Sequence, residues 1–204
     1  MHVPVIEWLE HVDKLVFSFI QTKLSAKWLD GIMLLIRNPL TWIPLYIFIL
    51  LRVLKWERSV AIKFICLSIL CFAITDYTTA HFFKPMFERL RPCYDSETEG
   101  VVRGIIGCGG KYSFPSNHAS NHFGLAAFWF YSIYLITNRK WRWLWLWALL
   151  ISCAQVYVGV HFPLDVMGGA LLGIFVGVSL SKIFRIWLGS SLIKLSDNSS
   201  LSLH

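Results

Sequence analysis

Four long apolar stretches limit what this chain can become. They cover roughly Val60–Ala80, His118–Ile136, Trp141–Val160 and Val166–Leu188, with a shorter fifth over Pro39–Val53. A bilayer crossing takes about 20 apolar residues, within a range of about 17–25. The four long stretches meet that length, and the fifth needs extension towards Leu34. Water is absent from the hydrocarbon core, so a spanning backbone must bond to itself, and a helix does so. The expected fold is therefore all-α, a polytopic transmembrane helical bundle with five or six spans. Composition agrees: 15% of the 204 residues are charged, against about 25% in soluble domains. The ten Trp suit a lipid–water boundary.

Residues 1–37 behave differently. Glu7, Glu10, Asp13, Lys14, Lys23, Lys27 and Asp30 break the apolar pattern too often for an easy span. Trp8, Leu9, Val12, Leu15, Val16 and Phe19 recur at helical spacing, which predicts an interfacial helix. An imperfect sixth span is the competing reading. The mixed, acidic start lacks the basic opening and apolar core of a cleavable signal. The expected organisation is an interfacial or imperfectly spanning segment over 1–37, a membrane core over 38–190 and a polar tail over 191–204. Gly169, Gly173 and Gly177 form a small-residue stripe suited to close helix packing, with no function assigned to it.

Alternating loops set an orientation. With the segment before Pro39 on face one, face two gathers ten basic residues against the acids Glu57 and Asp197. The long loop from Lys84 to Phe114 returns to face one with five basic residues and four acids. Basic residues collect on the cytoplasmic side, so the long loop is expected to face outward from a bacterial cytoplasmic membrane. The same rule accounts for the net charge of +7. No basic stripe interleaved with aromatics points to nucleic acid. Cys93 and Cys108 both fall in the outward loop, where either a disulfide or two free thiols is possible. Cys66, Cys71 and Cys153 lie in spans, as packing residues.

Three polar clusters interrupt the apolar chain, and the alternation puts all three at the outward boundary. They are Lys84 to Pro92, Pro115-Ser116-Asn117-His118, and His161-Phe162-Pro163-Leu164-Asp165. Polar groups near membrane depth are costly and mark function. Lys84 and Arg91 offer a point charge and a planar fork for phosphate oxygens. Pro115-Ser116 reads as a helix start, whose free N–H groups favour an anion. Pro163 suits a first helical turn, which sets Asp165 one turn beyond His161, where a carboxylate can orient an attacking imidazole. His118 is then the general acid. His122 and His81 read as packing and boundary residues.

Together these clusters resemble the type 2 phosphatidic acid phosphatase family, whose pattern is Lys-x6-Arg-Pro, Pro-Ser-Gly-His and Ser-Arg-x5-His-x3-Asp. Lys84, Arg91 and Pro92 match the first part, and Pro115, Ser116 and His118 match the second, with Asn117 in place of Gly. His161 and Asp165 match the third, but Ala154 and Gln155 replace Ser and Arg. The resemblance implies a phosphohistidine at His161, oriented by Asp165, with His118 as proton donor. It also implies phosphate held by Lys84, Arg91, Ser116, the Asn117 region and Gln155. No metal or other cofactor is expected. The partners implied are a lipid phosphate and the surrounding membrane lipids, with oligomeric state open. Gln155 lacks the family's charge, and Arg89 or Lys111 are the candidate compensating cations. The Pro-Ser-Asn-His-Ala stretch leans towards a bacterial polyprenyl-diphosphate phosphatase. A lipid phosphotransferase and a catalytically weak lipid-phosphate binder are the alternatives.

Overall fold

The computed structural model describes the backbone of residues 4–201 and the side chains of residues 7–189. Among the described residues eight α-helices follow one another: α1 (Pro4–Lys23), α2 (Lys27–Arg37), α3 (Ile43–Val53), α4 (Arg58–Tyr77), α5 (Lys84–Phe87), α6 (Asn117–Thr137), α7 (Trp143–Tyr157) and α8 (Pro163–Leu201). Among the described residues there is no strand, only an isolated bridge between Leu90 and Tyr112. The all-α expectation holds. The polar tail begins as a helical continuation of α8, and residues 202–204 lie outside the described residues.

Among the described residues two helical stretches are long and apolar enough to cross a bilayer, Arg58–Phe87 and Pro163–Gly189. A third candidate is the pair Lys27–Arg37 and Pro39–Val53, which bends by 65°. The break falls at Asn38-Pro39, where the ring removes a backbone donor and the Asn38 side chain accepts from the Leu40 N–H instead. Helix α7 has 15 residues, about 22 Å at 1.5 Å per residue, short of a core about 30 Å thick. Helix α6 has 21 residues but opens on Asn117, His118, Ser120, Asn121 and His122. Length and apolarity alone thus stop short of five or six spans.

Helix α1 turns its two faces to different surroundings. Trp8, Leu15 and Phe19 are exposed, leaving the apolar face without protein cover, as an interfacial helix requires. Its buried stripe is Asp13, Phe17 and Gln21, four residues apart and mostly polar. The polar groups face the protein because their partners are there. The Gln21 amide donates to the carbonyls of Val156 and Tyr157, both at 2.9 Å, where α7 ends.

The centre of the bundle is the packing of α6 against α8. A Cβ built at Gly169 would lie 2.5 Å from the Ser116 carbonyl oxygen, and one at Gly173 or Gly177 would overlap the carbonyl of Ser120 or Gly124. The small-residue stripe is therefore what lets the two backbones touch. Below it, Phe64, Phe128 and Phe184 pack mutually, and Trp129 stacks on Trp147 at 5.6 Å. Phe175, Leu171 and Ile69 stay exposed, an apolar surface that suits lipid and would drive aggregation in water.

Candidate active site

Each polar cluster is held at a helix end. Between α4 and α5 the chain runs as a π-helix over Thr78–Phe83, a wide turn often found at functional sites. Lys84 follows it directly. The helix then stops at Glu88, which takes a left-handed conformation (φ 48°). From there the loop folds back on itself as a short ribbon. The Arg91 N–H donates to the Lys111 carbonyl at 3.1 Å, and the Ser113 N–H donates to the Arg89 carbonyl at 2.7 Å. Cys93 and Cys108 are joined as a disulfide, with Cα atoms 6.3 Å apart. Arg91 is thereby fixed at the mouth of the loop, its Nε donating to the Tyr112 carbonyl at 3.3 Å.

The second cluster opens α6. Ser116 is its N-cap: the hydroxyl accepts from the Ala119 N–H at 3.4 Å, satisfying one of the donors that a helix start leaves free. The Ser116 N–H donates to the Asp165 carbonyl at 2.9 Å, so the Pro-Ser-Asn-His corner rests on the first turn of α8. His118 is partly buried, and His122 packs edge-on against Trp147 at 5.0 Å with its Nδ1 2.7 Å from the His118 carbonyl.

The third cluster is the turn from α7 to α8. Gly159 (φ 84°) starts it in a backbone region that glycine enters without penalty. His161 is 2% exposed and Asp165 fully buried. Asp165 Oδ2 accepts from the Phe162 N–H at 2.8 Å and stands 3.5 Å from His161 Nδ1, long for a hydrogen bond. Burial holds the His161 imidazole below its ordinary range; Asp165 opposes the effect, while Arg91 and Lys84 add to it. His118 lies two residues beyond Ser116, whose N–H is bonded to the Asp165 carbonyl, so it opens α6 beside the His161 turn. The structure therefore brings Lys84, Arg91, Ser116, His118, His161 and Asp165 to one place.

Two expected phosphate contacts differ from the rest. The Asn117 amide donates to the Asp76 carboxylate on α4 at 3.0 Å. The side chain is committed to a helix–helix bond, which leaves only the backbone N–H for an anion. Gln155 is fully buried, and neither polar atom of its amide has a partner among the described residues. Neither candidate compensating cation stands free in the site. Arg89 bridges two carboxylates, Asp165 Oδ1 at 2.7 Å and Asp13 Oδ2 at 2.5 Å, and lies over the Phe162 ring. Lys111 is exposed and lies over Tyr112.

Three participants escaped the sequence reading. Asp13 accepts from both Arg89 and the Leu164 N–H, at 2.5 and 2.9 Å, and so ties α1 to the His161 turn. Asp76 holds Asn117 and Asn121 through its carboxylate. Arg37, at the end of α2, has a buried Nε without a partner. The only advance signal was the helical spacing of Asp13, Phe17 and Gln21.

Comparison with known proteins accords with this geometry. The PAP2 superfamily pattern matches residues 61–187, which contain every motif residue above. The chain belongs to the PAP2 superfamily. A lipid A 4'-phosphatase of Porphyromonas gingivalis is 32% identical over 171 residues, 80% of this chain and 71% of the relative. An undecaprenyl-diphosphatase of Sulfolobus acidocaldarius is 31% identical over 71% of this chain and 66% of the relative. Among solved structures, a transmembrane PAP2-type phosphatidylglycerolphosphate phosphatase of Bacillus subtilis superposes with a TM-score of 0.63 at 22% identity. That superposition covers 90% of this chain and 88% of the other, which establishes a shared transmembrane fold. The chain is thus a membrane lipid phosphatase of this superfamily.

Proposed function

We propose that this PAP2 protein hydrolyses a phosphate ester carried on a membrane lipid, through a phosphohistidine at His161, on the outer face of a bacterial cytoplasmic membrane. The observation that carries the reading is the bond from the Ser116 N–H to the Asp165 carbonyl, because it pins the His118 helix start to the His161 turn. Lys84 and Arg91 neutralise the phosphate oxygens, and the N–H groups opening α6 add their partial charge. Asp165 orients the imidazole through Nδ1, which leaves Nε2 free to attack phosphorus. The bond from phosphorus to the lipid oxygen breaks, and His118 donates its proton to that oxygen. The bound phosphate dianion favours the protonated His118 this step needs. Water then attacks phosphorus, His118 takes the water proton, and the bond from phosphorus to nitrogen breaks. Free phosphate leaves and His161 is restored.

The substrate we favour is a phosphorylated glycolipid of the kind the Porphyromonas relative is named for. A polyprenyl diphosphate is the second reading, supported by the Sulfolobus relative and by the Pro-Ser-Asn-His-Ala stretch. On this reading α6 and α7 cross the membrane with the longer helices, giving five or six spans. The outward orientation follows the distribution of basic residues between loops.

The deciding experiment is phosphate release by purified protein from lipid A phosphate, undecaprenyl diphosphate, phosphatidic acid and phosphatidylglycerol phosphate, beside His161→Ala. Release from one of them, lost in His161→Ala, together with acid-labile phosphate on His161, supports the proposal. Turnover that survives His161→Ala refutes the phosphohistidine. Failure with all four lipids refutes the hydrolase.

A further inference from the structure

The Arg that the family motif places on α7 is Gln155 here, so a buried anion site in this protein lacks one positive charge. Arg37 approaches the same region from the end of α2. Leu29, Met33 and Leu34 pack against the cluster of Tyr157, Val158 and Val160, so this face of α2 lies along the turn that carries His161. Arg37 is one turn beyond Met33, on that face. Next to it, the Trp42 indole donates to the Ile36 carbonyl at 2.7 Å, and Trp42 packs edge-on against Trp147. Trp147 in turn touches His122, one turn along α6 from His118. Arg37 is near enough for its charge to act on both His118 and Arg91.

Arg37 is half-buried at the end of α2. Among the described residues it makes no ion pair, and its Nε is buried without a partner. Arg89 and Arg103 are each engaged with aspartates, although the Arg103 Nε is likewise buried without a partner. Half-buried and with its Nε enclosed, Arg37 gives up part of its hydration without a counter-ion in return, and ionisable groups near membrane depth mark function. The Gln155 amide is a second, independent sign: it is fully buried on α7 with both polar atoms unbonded. The enclosed Arg37 Nε and the buried Gln155 amide, both unsatisfied and close to the phosphate-binding motifs, describe a place suited to an anion.

We propose that Arg37 is a phosphate-binding residue, supplying from α2 the charge that the family motif draws from α7, with the Gln155 amide as its neutral partner. This rests on the hydrolase reading above for its catalytic consequence but not for binding itself. Arg37 contacts the transferring phosphoryl oxygens and stabilises charge that grows in the transition state. Removing one such preorganised donor lowers turnover by about 10²–10³-fold.

The test measures binding of inorganic phosphate by calorimetry and kcat/KM on the best lipid of the panel. The variants are Arg37→Gln, Arg37→Met and the double variant Arg37→Gln with Gln155→Arg. Arg37→Gln and Arg37→Met should weaken phosphate binding at least tenfold and lower kcat/KM about a hundredfold or more. The double variant should recover at least a tenth of wild-type kcat/KM, because the charge returns from α7. Neither single variant leaves a buried carboxylate unpaired, so each should unfold at or above the wild-type temperature. If wild type releases no phosphate from any lipid, the hydrolase reading fails while the phosphate-binding comparison still decides the role of Arg37. Phosphate affinity and kcat/KM both within twofold of wild type in Arg37→Gln overturn the proposal. So does a double variant no better than Arg37→Gln.

Discussion

Replacing Gly169 with Ala tests whether the helix contact that assembles the site is as tight as it looks. The new methyl would stand 2.5 Å from the Ser116 carbonyl oxygen and 3.0 Å from Ala119 Cβ, where ordinary contact begins at 3.4 Å. Relief requires α6 and α8 to separate by about 0.9 Å, the difference between 3.4 and 2.5 Å. The obstacle is backbone, so no side chain can swing aside. Overpacking of this kind costs about 1–3 kcal/mol. The separation also stretches the 2.9 Å bond from the Ser116 N–H to the Asp165 carbonyl and draws His118 away from His161. A displacement near 1 Å costs about 10²-fold in rate. The assay is phosphate release together with thermal unfolding in detergent, using Gly189→Ala as control, since a Cβ there meets nothing within 4 Å. Gly169→Ala should lose turnover far beyond its loss of stability, while Gly189→Ala changes neither appreciably. Wild-type turnover in Gly169→Ala would refute the idea that this contact sets the distance between the catalytic groups.

Three further outcomes are expected. Asp13→Asn removes one of the two carboxylates that Arg89 bridges; Asp165 still pairs Arg89, so the loss of stability should stay below the about 3–5 kcal/mol of a fully unpaired buried charge, with reduced turnover. Adding Arg89→Gln, which leaves the buried Asp165 without its cation, should lower the stability further, as read by thermal unfolding. Because burial keeps the His161 imidazole below its ordinary range, the neutral nucleophile persists on mild acidification. The acid limb of kcat/KM assigned to His161 should therefore fall below about pH 6.5, and a limb at pH 7 or above in the pH profile contradicts the buried environment. Alkylation without reductant should leave Cys93 and Cys108 unlabelled in a mass measurement, and Cys93→Ser with Cys108→Ser should raise KM by freeing the loop that holds Arg91.

The parts of this molecule that could be read from its sequence are those whose meaning is local. The apolar runs gave helices, Pro163 placed Asp165 on the first turn of α8, and the three motifs gathered at one end of the bundle. What escaped depends on who sits opposite whom. Asp13 looked like one of several acids interrupting an apolar pattern, and only the position of Arg89 turns it into a link to the His161 turn. Asn117 stood where the family has glycine and was expected to face phosphate, but a carboxylate on α4 claims its amide. Arg37 carried no signal, because a lone arginine at a helix end is ordinary until it proves to have no ion-pair partner among the described residues. The number of spans was hard to read for a different reason. Helix α7 is short and α6 begins with the polar residues of the site, so catalysis and membrane insertion place opposing demands on the same stretch of chain.

Helix α1 has a consequence for handling this protein. Bilayer hydrocarbon is the natural cover for Trp8, Leu15 and Phe19, while the opposite edge of the same helix grips Leu164 and Arg89. A detergent that wets those three side chains poorly would loosen the brace behind the His161 turn without touching any of the proposed catalytic groups. Preparations that look intact by size could then differ widely in specific activity, and returning lipid should restore the sluggish ones.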